Sequence, residues 1–325
     1  MKSAAARAHP NIAFIKYWGN KDDALRLPQN PSLSMNLAGL FTDTQVSWDD
    51  SISSDILSIN GQIADHTSTK RVNEHLTAIR DRLQINAFAR VESRNNFPIG
   101  AGIASSASAF AALSLAAVVA AGYDMSEREL STFARLGSGS ASRSVPAGFV
   151  EWHEGEDHRT SYAETIAPPE YWNLVDLVAV VSDKHKSVTS KHGHTTASTS
   201  DLQVARVAKS ASRLKTCKQA ILDRDFTTFA DVVEIDSNLM HAVMMTSKPP
   251  LFYWQPTSLT IMQKVREWRE DGLNVCYTLD AGPNVHCLCL MDSVDEVHRG
   301  LQEINGVQEI FVAPAGEGAH VIQSL

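Results

Sequence analysis

Apolar and polar positions in the first half of the chain predict short strands and one amphipathic helix. Residues 11–18 and 44–59 are predicted as strands, and Thr44-Gln45-Val46-Ser47-Trp48 alternates with the period of a half-buried strand. Asn60-Gly61 is a typical hairpin turn. Apolar residues at 72, 76, 79 and 83 have helical spacing and predict a helix over 69–83. A short strand is expected at 88–92.

The later pattern mixes helices and strands without regular alternation. An Ala-rich helix is predicted to end near Gly122, and Ser126 with Glu129 forms a capping box that opens another helix to about residue 136. The remaining pattern predicts helices at about 201–223, 226–243, 256–271 and 294–304, and strands at about 274–279, 284–291, 308–313 and 319–324. This mixture favours an α+β fold. Pro168-Pro169 and the apolar run at 174–181 suggest two domains, residues 1–172 and 173–325.

Composition and charge argue against several classes of protein, including nucleic-acid-binding and membrane-spanning proteins. Apolar residues make up 43% of the chain and charged residues 20%, which is typical of a globular protein. The net charge of −8 argues against a nucleic-acid partner, which requires a broad basic surface. The most apolar run, 107–121, is too short to span a membrane, and the N-terminus lacks a secretory pattern. Four cysteines without a paired motif favour a reduced, cytoplasmic setting.

A glycine-rich loop at residues 98–107 is the first candidate for chemistry. Gly100 and Gly102 allow backbone N–H groups, including that of Ala104, to converge on one point at the start of a helix. Ser105 and Ser106 add hydroxyl groups, and Ser106 is a candidate Mg²⁺ ligand. The pattern predicts a phosphate site or a capped helix with a small-residue packing face. No lysine follows the second glycine, so the loop is not a Walker loop.

Three other stretches carry polar side chains on turns. Ser138, Ser140 and Arg143 lie in a Gly/Ser-rich turn, where the arginine fork could bind a carboxylate or phosphate, or the turn could simply be polar surface. Asp280 follows a strand and precedes a Gly-Pro turn, so it could be a base in a cleft or a turn cap. Lys16 follows a buried strand and could equally be a lysine packed beside aromatic residues.

A fourth stretch, residues 184–194, has the densest positive charge in the chain. It could be an anion-binding loop, a solvated surface run or, less readily, a metal site at His192 and His194.

Taken together, these stretches resemble the GHMP kinase superfamily and, within it, the mevalonate diphosphate decarboxylases. The resemblance rests on residues 11–19, 96–107, 137–144 and 277–284 in that order, with further similarity at 28–34 and 237–242. It implies a two-domain α+β GHMP kinase-like fold with the active site in the cleft between the domains. It also implies ATP and Mg²⁺ as cofactors, a phosphorylated 3-hydroxy-3-methyl acid as substrate, and a homodimer.

The resemblance also implies roles for individual residues. Asp280 would hold or deprotonate the 3-hydroxyl, Arg143 would bind the C1 carboxylate, and Lys16 would stabilise charge near Asp280 and the transferred phosphoryl group. The ATP phosphates would contact the glycine-rich loop, Ser105 and Ser106. The substrate-binding set is Asn11, Tyr17, Asn20, Ser138, Ser140, Arg143, Ser190 and Lys191.

Two departures from the family pattern concern the phosphorylated tail of the substrate. Bacterial diphosphate enzymes resembling this chain carry a second lysine after Lys-Tyr-Trp-Gly, where this chain has Asn20. Their later Ser-Arg pair is Ser190-Lys191 here. Asparagine cannot neutralise a phosphate, and lysine lacks a bidentate fork. The sequence therefore predicts the phosphomevalonate decarboxylase branch, which converts mevalonate 5-phosphate to isopentenyl phosphate. The alternatives are mevalonate 5-diphosphate as substrate, a mevalonate 3-kinase without decarboxylation, and a non-catalytic binding protein.

Overall fold

The computed structural model describes residues 2–97, 105–182 and 190–323, and for residues 2 and 190–192 the backbone alone. The strands are β1 (Lys2–Ala8), β2 (Asn11–Ile15), β3 (Asn20–Asp22), β4 (Leu27–Pro28), β5 (Ser32–Asn36), β6 (Thr42–Asp49), β7 (Ile56–Ile59), β8 (Gln62–Ile63), β9 (Phe88–Asn95), β10 (Phe149–Trp152), β11 (Ala163–Ala167), β12 (Leu174–Val180), β13 (Val275–Thr278), β14 (Val285–Leu290), β15 (Glu309–Pro314) and β16 (His320–Ile322). The α-helices are α1 (His66–Leu83), α2 (Ser105–Ala120), α3 (Glu127–Gly137), α4 (Ser190–Thr196), α5 (Gln203–Ala208), α6 (Ser210–Asp223), α7 (Phe226–Thr246), α8 (Pro256–Glu270) and α9 (Val294–Gln302). A 3₁₀ turn at Gly139–Ser144 follows α3.

The largest sheet has the strand order β16-β1-β6-β9-β7-β8. Its pairs are antiparallel except for β7 and β9. Helix α2 packs on this sheet, and its alanines form one apolar cluster with side chains of β1, β6 and α1. The predicted Ala-rich helix is thus buried. Strand β16 brings the end of the chain back to β1, and the division at residue 172 stays a prediction.

Two further sheets enclose a second core. One has the order β11-β10-β5-β2 and the other β13-β14-β12-β15. Side chains of α6 and α7, including Phe229 and Val233, pack between them against Phe14 and Val178. The opposite face of the β12 sheet packs on α8 and α9. The mixed sheets and helices confirm the predicted α+β class.

Three predicted elements are shortened or interrupted in the structure. The strand over 11–18 stops at Ile15, because the backbone groups of Lys16 bond to side chains instead of a neighbouring strand. The strand over 44–59 is two strands, since Asp49 accepts a hydrogen bond from the Ser51 N–H at 2.9 Å in a local turn. The helix over 201–223 is interrupted at Lys209, where the Ser210 hydroxyl donates to the Val207 carbonyl at 2.7 Å.

The fold brings the end of β2 to the end of β13. Thr278 on β13 donates to the Ala13 carbonyl on β2 at 3.4 Å, so the residues that follow both strands lie in the same cleft. None of the described helices has the length and apolar content required to cross a bilayer.

Candidate active site

Lys16 and Asp280 form the central ion pair of the cleft. Lys16 Nζ lies 2.6 Å from Asp280 Oδ1. The lysine side chain is 1% exposed and the aspartate side chain 28%, so the carboxylate is the partner that reaches the cleft. Burial lowers the pKa of Lys16, although the charge of Asp280 opposes this. Burial also opposes ionisation of Asp280, but the charges of Lys16, His286 and Arg143 outweigh it and hold the pKa of Asp280 below its usual range.

The backbone of Lys16 is fixed by side chains from the helical layer. Its N–H donates to Asp236 Oδ2 at 2.6 Å, and its carbonyl accepts from Arg206 Nη2 at 2.6 Å and from Asn30 Nδ2 at 2.9 Å. Arg213 Nε pairs with the other oxygen of Asp236 at 2.7 Å. These contacts hold the lysine rigidly toward Asp280. Sequence reasoning missed Asp236, Arg206 and Arg213, although Asp236 immediately precedes the family-like segment at 237–242.

Arg143 lies in the 3₁₀ turn and is 3% exposed. Its Nη1 donates to Ser32 Oγ at 2.6 Å and its Nε to Asn11 Oδ1 at 3.3 Å. Asn11 is in turn held by the Ser140 carbonyl at 3.0 Å. Arg143 Nη2 makes no hydrogen bond to the part of the chain that the structure describes. Burial lowers the pKa of Arg143 to about 10, with Asp280 and Tyr17 opposing, so the group stays cationic at neutral pH.

Three hydroxyl groups connect α2 to the 3₁₀ turn. Ser106 Oγ lies 3.1 Å from Ser138 Oγ, which lies 3.3 Å from Ser140 Oγ. Gly100, Gly102 and Ala104 lie outside the described residues. Beside Ser105 and Ser106 is a cavity of about 150 Å³, lined also by Arg71, Thr44 and Phe110. These last three residues carry no sequence signal of a site, because α1, β6 and α2 have the patterns of ordinary structural elements.

The other end of the cleft is built around the Tyr17 ring. It stacks on His194 with 4.1 Å between ring centroids, and a Cβ added to Gly139 would stand 2.6 Å from Tyr17 Cε1. The Tyr17 hydroxyl donates to Asn20 Oδ1, and Asn20 Nδ2 donates to Asp23 Oδ1 at 2.8 Å. The Asn20 amide is therefore engaged within the protein. Ser190 and Lys191 open α4, and their side chains lie outside the described part.

The described residues contain no cluster of three or more His, Cys, Asp or Glu side chains that could hold a metal ion. Mg²⁺ commonly relies on substrate phosphates and few protein ligands, so the hydroxyl groups near Ser106 fit a phosphate-bound magnesium ion.

Comparison with known proteins places this cleft in a family. A diphosphomevalonate decarboxylase-like N-terminal domain matches residues 8–163, and a mevalonate 5-diphosphate decarboxylase C-terminal domain matches residues 176–318. The chain belongs to the diphosphomevalonate decarboxylase family. Membership of this family confirms the prediction of an ATP-dependent decarboxylase with a two-domain fold.

Individual members of the family are similar over nearly the whole chain. The diphosphomevalonate decarboxylase of Candida albicans is 41% identical over 304 residues, which cover 87% of this chain and 83% of the relative. A solved complex described as MDDEF with MVAPP, AMPPCP and magnesium superposes with a TM-score of 0.94 at 37% identity, covering 99% of each chain. Mevalonate diphosphate decarboxylase from Staphylococcus aureus gives 0.94 at 36%, covering 99% of this chain and 98% of the other.

These diphosphomevalonate decarboxylases do not support the predicted phosphomevalonate branch, since their names specify the diphosphate substrate. The family itself is as the sequence motifs predicted, and the roles of the site residues stay predictions.

Proposed function

We propose that the protein decarboxylates a 5-phosphorylated mevalonate with ATP, giving an isopentenyl product, CO₂, ADP and phosphate. The observation that carries this proposal is the pair of Lys16 Nζ and Asp280 Oδ1 at 2.6 Å, with the carboxylate open to the cleft. Arg143 stands near enough to lower the pKa of the same carboxylate. The proposal assigns the base to Asp280, the cation to Lys16 and the carboxylate clamp to Arg143.

Asp280 orients the tertiary 3-hydroxyl of the substrate and receives its proton. A carboxylate with a lowered pKa is ionised at neutral pH but is a weak base. We infer that the proton moves late, as the hydroxyl oxygen bonds to the γ-phosphorus of ATP and becomes acidic. The phosphoryl group then makes the 3-oxygen a good leaving group.

Arg143 fixes the C1 carboxylate by Nη2, which has no partner among the described residues, and by the neighbouring edge of the guanidinium. As the C3–O bond breaks, the C1–C2 bonding electrons form the C2–C3 double bond and CO₂ leaves. Holding the carboxylate in place supplies the geometry that this step requires. Lys16 stabilises the negative charge that develops on the transferred phosphoryl group.

The cavity at Ser105 and Ser106 is the site proposed for ATP. It lies at the start of α2, where the helix dipole favours phosphates. The similar solved complex holds AMPPCP and magnesium, which supports ATP and Mg²⁺ as cofactors of this chain. Bound Mg²⁺ would neutralise phosphate charge during transfer.

The relatives favour mevalonate 5-diphosphate as the substrate. A second candidate is mevalonate 5-phosphate, favoured by Asn20. Its amide is used by Tyr17 and Asp23, and the adjacent Lys21 pairs with Glu156 at 3.0 Å instead of facing Tyr17. A site with less positive charge binds one phosphate more readily than two.

The deciding experiment compares kcat/KM for the two substrates with ATP and Mg²⁺. If mevalonate 5-diphosphate is the substrate, its kcat/KM should be the higher of the two. A clearly higher kcat/KM for mevalonate 5-phosphate selects the second candidate. Turnover of neither substrate would overturn the proposed function. Chelation of Mg²⁺ is expected to stop turnover, and a homodimer in the cytoplasm stays a prediction.

A further inference from the structure

Arg26 is a cation at the tail end of the cleft that the reaction described above does not use. It ends the turn between β3 and β4, with its backbone in the left-handed region at φ 49°. A non-glycine residue in this region carries a conformational cost that the surrounding structure must offset. The side chain is half-buried, and its Nε donates to the Leu136 carbonyl at 2.7 Å.

The remaining donors of Arg26 are its two Nη groups. Neither Nη group bonds to the described part of the chain, and no acidic side chain there forms an ion pair with Arg26. The charge nevertheless acts on the cleft. Burial lowers the pKa of His194 to about 3, and Arg26 is the strongest charge contributing to that shift. Burial raises the pKa of Tyr17, and Arg26 is the strongest opposing charge.

These contacts place Arg26 beside the residues proposed for the substrate tail. Leu136 precedes Ser138 by two positions, and Gly139 touches the Tyr17 ring. His194 Nδ1 accepts the Gly19 N–H at 3.1 Å, so the neutral ring carries its proton on Nε2. Arg26 therefore adds a positive charge to the Tyr17 and His194 end of the cleft, where the charge of Arg143 also acts on both rings.

A simple alternative is that Arg26 only caps the carboxyl end of α3, where cations are stabilised. That end already has Arg71, whose Nη2 lies 3.5 Å from the Gly137 carbonyl and whose Nε is buried without a partner among the described residues. Arg26 contributes, after burial, to lowering the pKa of Arg71. Glu74 opposes this shift through its charge, but neither arginine forms an ion pair with a carboxylate among the described residues, and a bound anion would stabilise both.

We propose that Arg26 binds the terminal phosphate of the substrate tail and supplies the positive charge that Asn20 lacks. The proposal rests on the proposed function, because it takes the tail to lie at Tyr17 and Ser138. A guanidinium matches the oxygens of a phosphate in two parallel hydrogen bonds. The cation thus comes from the β3–β4 turn and not from the position that follows Gly19.

The test measures KM and kcat for Arg26→Gln and Arg26→Lys with both phosphorylated substrates. We expect Arg26→Gln to raise KM for the phosphorylated substrate by about 10- to 100-fold, the loss of a charge-assisted bond, with kcat and the KM for ATP little changed. Arg26→Lys should recover part of the affinity, because it keeps the charge and loses the fork. Arg299→Gln, which alters an arginine in the last turn of α9, is the matched control and should leave both constants unchanged.

Direct binding separates this proposal from the proposed function and from a structural role. Calorimetry without ATP compares mevalonate 5-phosphate, mevalonate 5-diphosphate and unphosphorylated mevalonate on wild type and Arg26→Gln. We expect Arg26→Gln to bind the two phosphorylated ligands more weakly than wild type does, and unphosphorylated mevalonate equally well. If Arg26 only caps the helix, the variant should instead have a lower Tm and discriminate between the ligands as wild type does. Equal affinity of both proteins for the phosphorylated ligands, including no binding by either, overturns the role of Arg26. Wild-type binding without CO₂ release overturns only the proposed function.

Discussion

The two ends of the cleft differ in the charge of their side chains. At one end, Lys16, Asp280 and Arg143 are charged, buried or half-buried, and fixed by direct hydrogen bonds. At the other end, Tyr17, Asn20 and the Ser138 hydroxyl are neutral. The difference indicates that the groups proposed for bond breaking are held by the core of the fold. The residues proposed to select the phosphorylated tail lie on turns, which we expect can change with little effect on the core.

Replacing Asp280 by Asn should cause the largest loss. Asparagine cannot take the hydroxyl proton, and it leaves Lys16 buried without its counter-ion. We expect kcat to fall by about 10²- to 10⁴-fold, while calorimetry shows substrate affinity largely retained. Asp292→Asn, on the exposed turn before α9, is the control. Substantial turnover by Asp280→Asn would remove Asp280 from its proposed role.

Lys16→Met tests whether the charge of Lys16 supports turnover and sets the ionisation of Asp280. Loss of the ammonium group should lower kcat by about 10²- to 10³-fold. The pKa of Asp280 is lowered in the native protein, so its ionised form persists below the usual range. Without Lys16 that pKa rises, and the acidic limb of kcat/KM should move to higher pH. A pH profile of unchanged shape would show that Lys16 does not set the ionisation of Asp280.

Arg143→Lys separates charge from geometry at the same end. Lysine keeps the positive charge but cannot reach Ser32 and a carboxylate together through a planar fork. We expect kcat/KM to fall by about 10- to 100-fold, and both steady-state constants should be measured. Wild-type constants in this variant would contradict a carboxylate clamp.

Gly139→Ala addresses the neutral end and should have the smallest effect. An added Cβ would stand 2.6 Å from Tyr17 Cε1, so the ring must move. We expect KM for the phosphorylated substrate to rise by about 3- to 10-fold with little change in kcat, since a shift of the ring misplaces the tail. Gly61→Ala is the control for an added methyl group away from the cleft: its added Cβ would meet nothing within 4 Å, although its φ of +77° adds a backbone strain that Gly139 does not have. An equal change in both variants would exclude a specific role for the Tyr17 ring.

The motif residues of both ends were predictable from the sequence, and the residues that hold them in place were not. Lys16, Arg143 and Asp280 lie in compact motifs, and the structure brings Lys16 and Asp280 together across 264 positions. Asp236, Arg206 and Arg26 escaped prediction because their partners are backbone groups distant in the chain. Only the folded chain shows such contacts.

The helices and strands also differ in how far the sequence predicts them. Helices with clear periodicity and caps, such as α1 behind Asp65 and α3 behind Ser126, were predicted within a few positions. Strand β1 was missed because its Ala-rich sequence has little intrinsic preference for a strand. Its pairing with β6 on one side and β16 on the other overrides that weak local preference.

The central claim is that phosphorylation at the Asp280 end leads directly to loss of CO₂. Measuring ADP and CO₂ together, in one reaction with ATP, Mg²⁺ and each 5-phosphorylated mevalonate, tests it most directly. We predict that ADP and CO₂ appear in equal amounts from at least one substrate. Release of ADP with a 3-phosphorylated acid and no CO₂ would contradict it and identify the protein as a kinase.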